Sequence, residues 1–277
     1  MLRILDARTG EPVAAAPARR GLTRIEAHAA DLDLTALRVL LTADVLVRAL
    51  ELGGTPVWTM LTAPRRHAEL RTAATTLAIR PFEDGRDLAS GLGEAQVIHV
   101  VGEDTEEPPG EGPLLTVAPA TVGRGPGAAG HGEPGAASDA ARGGEPVTPP
   151  SPDGAPPVDL PALLSDPTAL RLSLLSVPRN TPVRLDPGGL DEAARTLARW
   201  RRAVAGWARQ PSRPVPEEVR VRLRAAWEDD LDLPGVLGVL RDVESAPGLP
   251  DGARFETYVY ADRLLALDLA RDLGSLA

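Results

Sequence analysis

The chain has 277 residues, of which 43% are hydrophobic, and this is enough for one or two domains with a sizeable buried core. Its net charge of −9 argues against a surface dedicated to nucleic acid, because phosphate binding depends on clustered basic side chains. The chain contains no cysteine, which excludes disulfides, thiolate metal ligands and a cysteine nucleophile, and it contains no lysine.

The first segment, residues 1–123, alternates predicted strands with predicted helices. A helix over residues 37–52 has apolar side chains at helical spacing and ends at Gly53 and Gly54. The other predicted elements are strands at 2–5, 24–28, 55–61 and 96–101 and a helix over 67–79. Such alternation predicts an α/β domain with a parallel sheet.

The composition changes at residues 124–157. Gly and Pro account for 16 of these 34 residues, and Val147 is the only large aliphatic side chain among them. A segment of this kind cannot bury enough apolar surface to offset the entropy of ordering, so it is predicted to be a disordered linker.

The remaining segment, residues 158–277, is predicted to be a helical bundle. Asp166 and Pro167 supply an N-cap and a proline at the first helical position. Further apolar stripes predict helices over residues 190–208, 219–231, 234–243 and 258–273.

Three stretches resemble the family of cysteinyl-tRNA synthetases and mycothiol ligases. Residues 166–176, DPTALRLSLLS, follow the family pattern D-x-x-A-L-R-L-x-L-L-S, and residues 225–234, AAWEDDLDLP, are close to A-x-x-D-D-L-x-T-P. The third stretch combines residues 2–10 with residues 44–53, which resemble the helix behind the family's first nucleotide motif. The resemblance implies a class I synthetase fold, in which a Rossmann-like (HUP-type) parallel-sheet domain precedes a helical bundle, here in a truncated and degenerate form.

The resemblance also implies ATP-dependent activation of cysteine, but both phosphate-binding motifs of the family are missing. The His-x-Gly-His motif would fall at residues 33–36, which read Asp-Leu-Thr-Ala, and an aspartate there would repel a triphosphate. The Lys-Met-Ser-Lys-Ser loop would fall between Leu115 and Asp159 in a chain without lysine. Losing one charge-stabilising donor typically costs about 3–4 kcal/mol of transition-state stabilisation. No cofactor is therefore predicted for this chain, and ATP is kept as an alternative.

The family's zinc ligands, two Cys, a His and a Glu, are not reproduced either. His28 lies where the first Cys would be, and residues 97–104 resemble the family's D-I-H-G-G-G-x-D segment, so that His99, Gly102 and Asp104 match. One histidine with distant carboxylates is a poor zinc site, so zinc is not expected and no metal ligand is predicted. These four residues are the candidate remnant of a ligand pocket, and the alternative is that they are ordinary residues of a strand end and a polar turn.

Three functions are compatible with these patterns. The favoured one is a non-catalytic pseudoenzyme that binds a protein partner or a residual ligand, and the alternative is a divergent ATP-dependent cysteine ligase, acting on tRNA or resembling a mycothiol ligase. An RNA-binding regulator is supported only by a stripe of arginines (Arg195, Arg199, Arg202 and Arg209) and is opposed by the net charge. A protein partner is therefore expected, and tRNA is not.

The expected location is the cytoplasm. Residues 1–6 lack the basic start and apolar stretch of a secretory signal, and no run of about 18 apolar residues predicts a membrane span.

Overall fold

The computed structural model describes residues 1–17, 21–83, 94–105, 109–123 and 160–274. Within these ranges the chain forms eight strands and eight helices. The predicted linker at 124–157 lies outside the described residues, so its predicted disorder, and with it the predicted division into domains, stays a prediction.

The strands are short. They are β1 (Arg3–Asp6), β2 (Glu11–Ala14), β3 (Leu22–His28), β4 (Val57–Thr62), β5 (Glu94–Gly102), β6 (Leu114–Val117), β7 (Ala120–Val122) and β8 (Val183–Leu185).

The described residues also form eight helices. They are α1 (Leu34–Leu52), α2 (His67–Thr76), α3 (Leu160–Leu163), α4 (Pro167–Leu175), α5 (Pro187–Trp207), α6 (Glu217–Glu228), α7 (Leu233–Ser245) and α8 (Asp251–Leu265).

Four strands form a parallel sheet in the order β4-β3-β5-β6. Alternate side chains of β3 point to opposite faces, and Ile25 and Ala27 are fully buried on the face that packs against α1. In return, α1 buries Leu37 and Leu40 completely. A parallel sheet covered by α1 and followed by a helical region confirms the predicted Rossmann-like α/β fold.

The predicted strand at residues 2–5 lies outside that sheet, as β1 of an antiparallel pair with β2. The turn between β1 and β2 spans residues 7–10, where the Gly10 N–H donates to the Asp6 carbonyl at 2.8 Å. The Asp6 carboxylate accepts a 2.9 Å bond from the Leu114 N–H and so joins this hairpin to β6.

The helix start predicted at Asp166 and Pro167 is confirmed, because the Asp166 carboxylate accepts a 3.0 Å bond from the Ala169 N–H. The bounds predicted for the last helix were wrong, since α8 begins at Asp251 and ends at Leu265. The chain turns at Ala266, whose φ is 48°, and the Asp262 carboxylate accepts bonds from the N–H groups of the residues that follow the turn, Leu267 and Leu269.

The helical region packs directly against α1. Arg38 of α1 is buried and donates to the carbonyls of Ala118, Pro178 and Thr181 at 2.7–2.9 Å. Elsewhere in the helices, Trp200 is fully buried edge-on against Tyr258 and so belongs to the core. Among the described residues, no helix is long and apolar enough to cross a membrane.

Candidate functional site

A cleft of about 590 Å³ opens at the carboxyl ends of the parallel strands, beside the first turn of α1. Open α/β sheets bind ligands at this edge, because the loops that follow the strands converge there. The wall of the cleft is formed by the ends of β3, β4 and β5, the loops after β4 and β5, and the start of α1. Its lining residues include His28, Asp33, Thr35, Thr62, Arg65, Gly102 and Asp104.

The structure brings the four residues predicted from the sequence to this one region. His28, Gly102 and Asp104 line the cleft itself. His99 lies on the neighbouring strand with only 3% of its surface exposed, and its Nδ1 is 3.1 Å from His28 Nε2. That these residues bind a ligand stays a prediction.

The amino end of α1, where the family has its phosphate-binding histidines, is occupied by an acidic side chain. Asp33 is the N-cap of the helix, and its Oδ1 accepts a 2.7 Å bond from the Ala36 N–H. The free N–H groups at a helix start usually attract anions. In this chain the carboxylate of Asp33 already accepts the bond of one of these groups, the Ala36 N–H, and adds a negative charge that a phosphate would meet.

The charges in the wall of the cleft are also unfavourable for a triphosphate. The part of the wall that the structure describes contains two carboxylates, Asp33 and Asp104, and one guanidinium, Arg65. Because clefts concentrate the field of their lining charges, this wall favours a neutral or cationic ligand over a polyanion.

Beside the cleft, β3 and β5 place three polar side chains together on one face of the sheet. Glu26 and His28 are two residues apart on β3 and share this face, and the strand register sets Glu26 directly opposite His99. Glu26 Oε2 lies 3.7 Å from His99 Nδ1, and Glu26 Oε1 lies 3.9 Å from His28 Nε2.

The hydrogen bonds of His28 and His99 determine which ring nitrogens carry the protons. His99 Nε2 is 3.1 Å from the Glu111 carbonyl, which can only accept, so Nε2 carries the proton and Nδ1 presents its lone pair to His28. Burial lowers the pKa of both rings, although Glu26 opposes this in each and the Glu111 hydrogen bond also opposes it in His99. Both histidines are therefore neutral at pH 7.

Further contacts hold the Glu26 carboxylate and the Glu111 carbonyl in place. The Thr62 hydroxyl donates to Glu26 Oε1 at 2.7 Å, and Arg24 Nε lies 3.7 Å from Glu26 Oε2. Arg8 donates to the carbonyls of Gly110 and Gly112, at 2.5 and 3.0 Å, and so fastens the loop on both sides of Glu111.

Sequence reasoning missed Glu26 and Glu111 as members of this cluster. The period-two alternation of β3 already places Glu26 on the face of His28, so this signal was present. The approach of His99 to Glu26 depends on the register between β3 and β5, which no local pattern contains.

The chain is similar to curated enzymes named L-cysteine:1D-myo-inositol 2-amino-2-deoxy-alpha-D-glucopyranoside ligase. The enzyme of Thermobispora bispora is 39% identical over 92 residues, which are 31% of this chain and 22% of that enzyme. The enzyme of Acidothermus cellulolyticus is 34% identical over 111 residues, which are 40% of this chain and 27% of the enzyme. The enzyme of Streptosporangium roseum is 41% identical over 76 residues, which are 27% and 18% of the two chains.

No family model matches the chain. The matches to these three relatives span between 18% and 27% of the relatives' own lengths. Over these partial stretches the resemblance predicted from the sequence is confirmed: the chain is similar to curated mycothiol ligases.

Proposed function

We propose that this chain keeps the fold of a cysteine ligase but does not activate an amino acid, and that it binds a protein partner or a residual ligand instead. The observation that carries the proposal is the carboxylate of Asp33 on the amino end of α1. In a class I synthetase this position serves the phosphates of ATP, according to the resemblance described above.

The missing cations support the same conclusion. Transfer of a nucleotidyl group develops negative charge on phosphate oxygens, and enzymes stabilise that charge with lysine, arginine or a metal ion close to it. The chain has no lysine at any position, and Arg65 is the one arginine among the described residues that line the cleft. Its guanidinium lies 4.0 Å from the Asp31 carboxylate, which offsets its charge.

The cleft nevertheless remains open. Its volume of about 590 Å³ is within the usual range of small-molecule sites, and its wall presents hydroxyl, imidazole and carboxylate groups. These features support the retention of a neutral or cationic ligand.

Calorimetric titration of the full chain with ATP and magnesium tests the proposal. We expect no saturable heat at millimolar ATP for the natural chain. Asp33→Asn keeps a good N-cap and removes the charge, so any residual affinity for ATP should rise in this variant. Asp186→Asn is the matched control, because Asp186 is likewise an acidic N-cap, of α5, and is not among the residues that line the cleft.

A divergent ATP-dependent cysteine ligase is the second candidate, and the similarity to enzymes named as cysteine ligases favours it. This function requires the natural chain to bind ATP saturably. Such binding in the same titration would overturn the first proposal and support the second.

A further inference from the structure

The cluster beside the cleft contains three groups that bind metals. Glu26, His28 and His99 each offer one donor atom, and these three atoms all lie within 4.8 Å of one another. The donors come from adjacent strands in the middle of the parallel sheet, so the backbone that positions them is held by hydrogen bonds on both sides.

The distances between the donors are close to those in a metal site. An ion with tetrahedral bonds of about 2.0–2.1 Å separates its ligand atoms by about 3.3 Å. Here His28 Nε2 and His99 Nδ1 are 3.1 Å apart, and each lies 3.7–3.9 Å from a carboxylate oxygen of Glu26. Small rotations of these three side chains would therefore bring their donor atoms to the distances of a tetrahedral metal site.

The surroundings prepare these groups for coordination. The proton on His99 Nε2 is bonded to the Glu111 carbonyl, which leaves the Nδ1 lone pair directed into the cluster. A histidine ligand in a protein usually donates its other N–H to a carbonyl or carboxylate in this way. The Thr62 hydroxyl likewise holds the Glu26 carboxylate through Oε1. His28 needs only to move its proton from Nε2 to Nδ1 to become a ligand.

Two imidazoles and one carboxylate select a class of metal. Such nitrogen and oxygen donors suit zinc, iron(II), cobalt(II) and nickel(II), whereas magnesium and calcium prefer oxygen ligands and copper(I) prefers sulfur. We propose that Glu26, His28 and His99 bind one divalent transition-metal ion, with at least one coordination position left for water.

The sequence predicted no metal at this position, because His28 was considered as a single histidine with distant carboxylates. The family's own set, with two cysteines, cannot form in a chain without cysteine, and Glu26 has no counterpart in the matched motifs. The proposed site is also independent of the proposed function, because it requires neither ATP binding nor its absence.

The test is metal binding by the untagged full chain after treatment with a chelator. Titration with zinc should show one ion bound per chain by calorimetry, and titration with cobalt(II) should produce a visible absorption band that zinc abolishes. Glu26→Gln, His28→Gln and His99→Gln should each weaken binding at least about tenfold. His67→Gln, on the separate helix α2, should have no effect.

Circular dichroism of each metal-free variant identifies any that fails to fold. The cobalt titration of the natural chain is independent of the variants, so an absent absorption band counts against the proposal even if they do not fold. An absence of cobalt absorption together with no zinc uptake would overturn the proposal. Zinc binding that persists unchanged in folded Glu26→Gln and His99→Gln chains would place the ion elsewhere and overturn it as well.

Discussion

The carboxylate of Asp44 and the guanidinium of Arg171 lie 2.7 Å apart and are both almost completely buried. The pair joins α1, which covers the sheet, to α4 of the helical region. Burial lowers the pKa of Arg171, and the neighbouring Asp44 opposes that shift. Arg171 also donates to the carbonyls of Leu77 and Leu265, so one side chain connects three parts of the chain.

Removal of the Asp44 carboxylate should therefore destabilise the whole protein. We expect Asp44→Ala to lower the free energy of unfolding by about 3–5 kcal/mol, because Arg171 is left as a buried charge without its partner. Urea denaturation checks this value. Asp242→Ala, which breaks an exposed ion pair with Arg222, is the control and should change stability little; equal losses in the two variants would contradict the assignment.

Arg38 gives a second stability prediction. Burial lowers its pKa to about 10, and its guanidinium donates to the carbonyls of Ala118, Pro178 and Thr181. Arg38→Met leaves these carbonyls without a donor and should cost about 2–4 kcal/mol. Arg38→Lys keeps the charge but reaches fewer acceptors, so its loss should be smaller. A methionine variant as stable as the natural chain would show that these bonds do not stabilise it.

Asp33 is expected to act on stability as an N-cap. Asp33→Ala removes the acceptor of the Ala36 N–H and should lower the free energy of unfolding by about 1 kcal/mol. Asn is as good a cap as Asp, so Asp33→Asn should leave thermal stability close to that of the natural chain. Equal losses of stability in the two variants would show that the charge of Asp33 stabilises the protein, and not its hydrogen bond from the Ala36 N–H.

Gly112 should control the position of the Glu111 carbonyl. Its φ is +114°, and a Cβ atom there would lie 2.6 Å from the Val97 carbonyl oxygen. Gly112→Ala should therefore cost about 1–3 kcal/mol of stability and weaken any metal binding that depends on the Glu111 bond to His99. Gly110→Ala is the matched control in the same loop. Its Cβ would lie 4.0 Å from the nearest atom, His99 Nε2, which is an ordinary van der Waals contact. Denaturation and zinc titration of the two variants check both effects.

The sequence predicted those parts of the fold that depend on local signals. Asp166 and Pro167 mark the start of α4 because capping and the fixed φ of proline act within one turn. The end of α8 was missed because it depends on the Asp262 carboxylate, which caps N–H groups beyond the turn at Ala266. The helical pattern in the sequence continues past this turn, and only the folded chain shows where the backbone leaves the helix.

The candidate site shows the same division between local and long-range information. His28 and His99 could be selected from the sequence, because each occurs in a stretch that resembles a family motif. Their contact with Glu26, and the bond between His99 and Glu111, depend on strand register and on the path of the loop before β6. Such pairings join residues distant in the chain, so the sequence alone did not predict a cluster of donors.

The central claim, that this chain does not activate an amino acid although it resembles cysteine ligases, is tested most directly by pyrophosphate exchange. Purified full chain would be incubated with cysteine, ATP, magnesium, zinc and labelled pyrophosphate, with a mycothiol ligase as the positive control. We predict label in ATP at the level of the enzyme-free background. Cysteine-dependent exchange at a rate near that of the control ligase would contradict the claim and establish the chain as an active ligase.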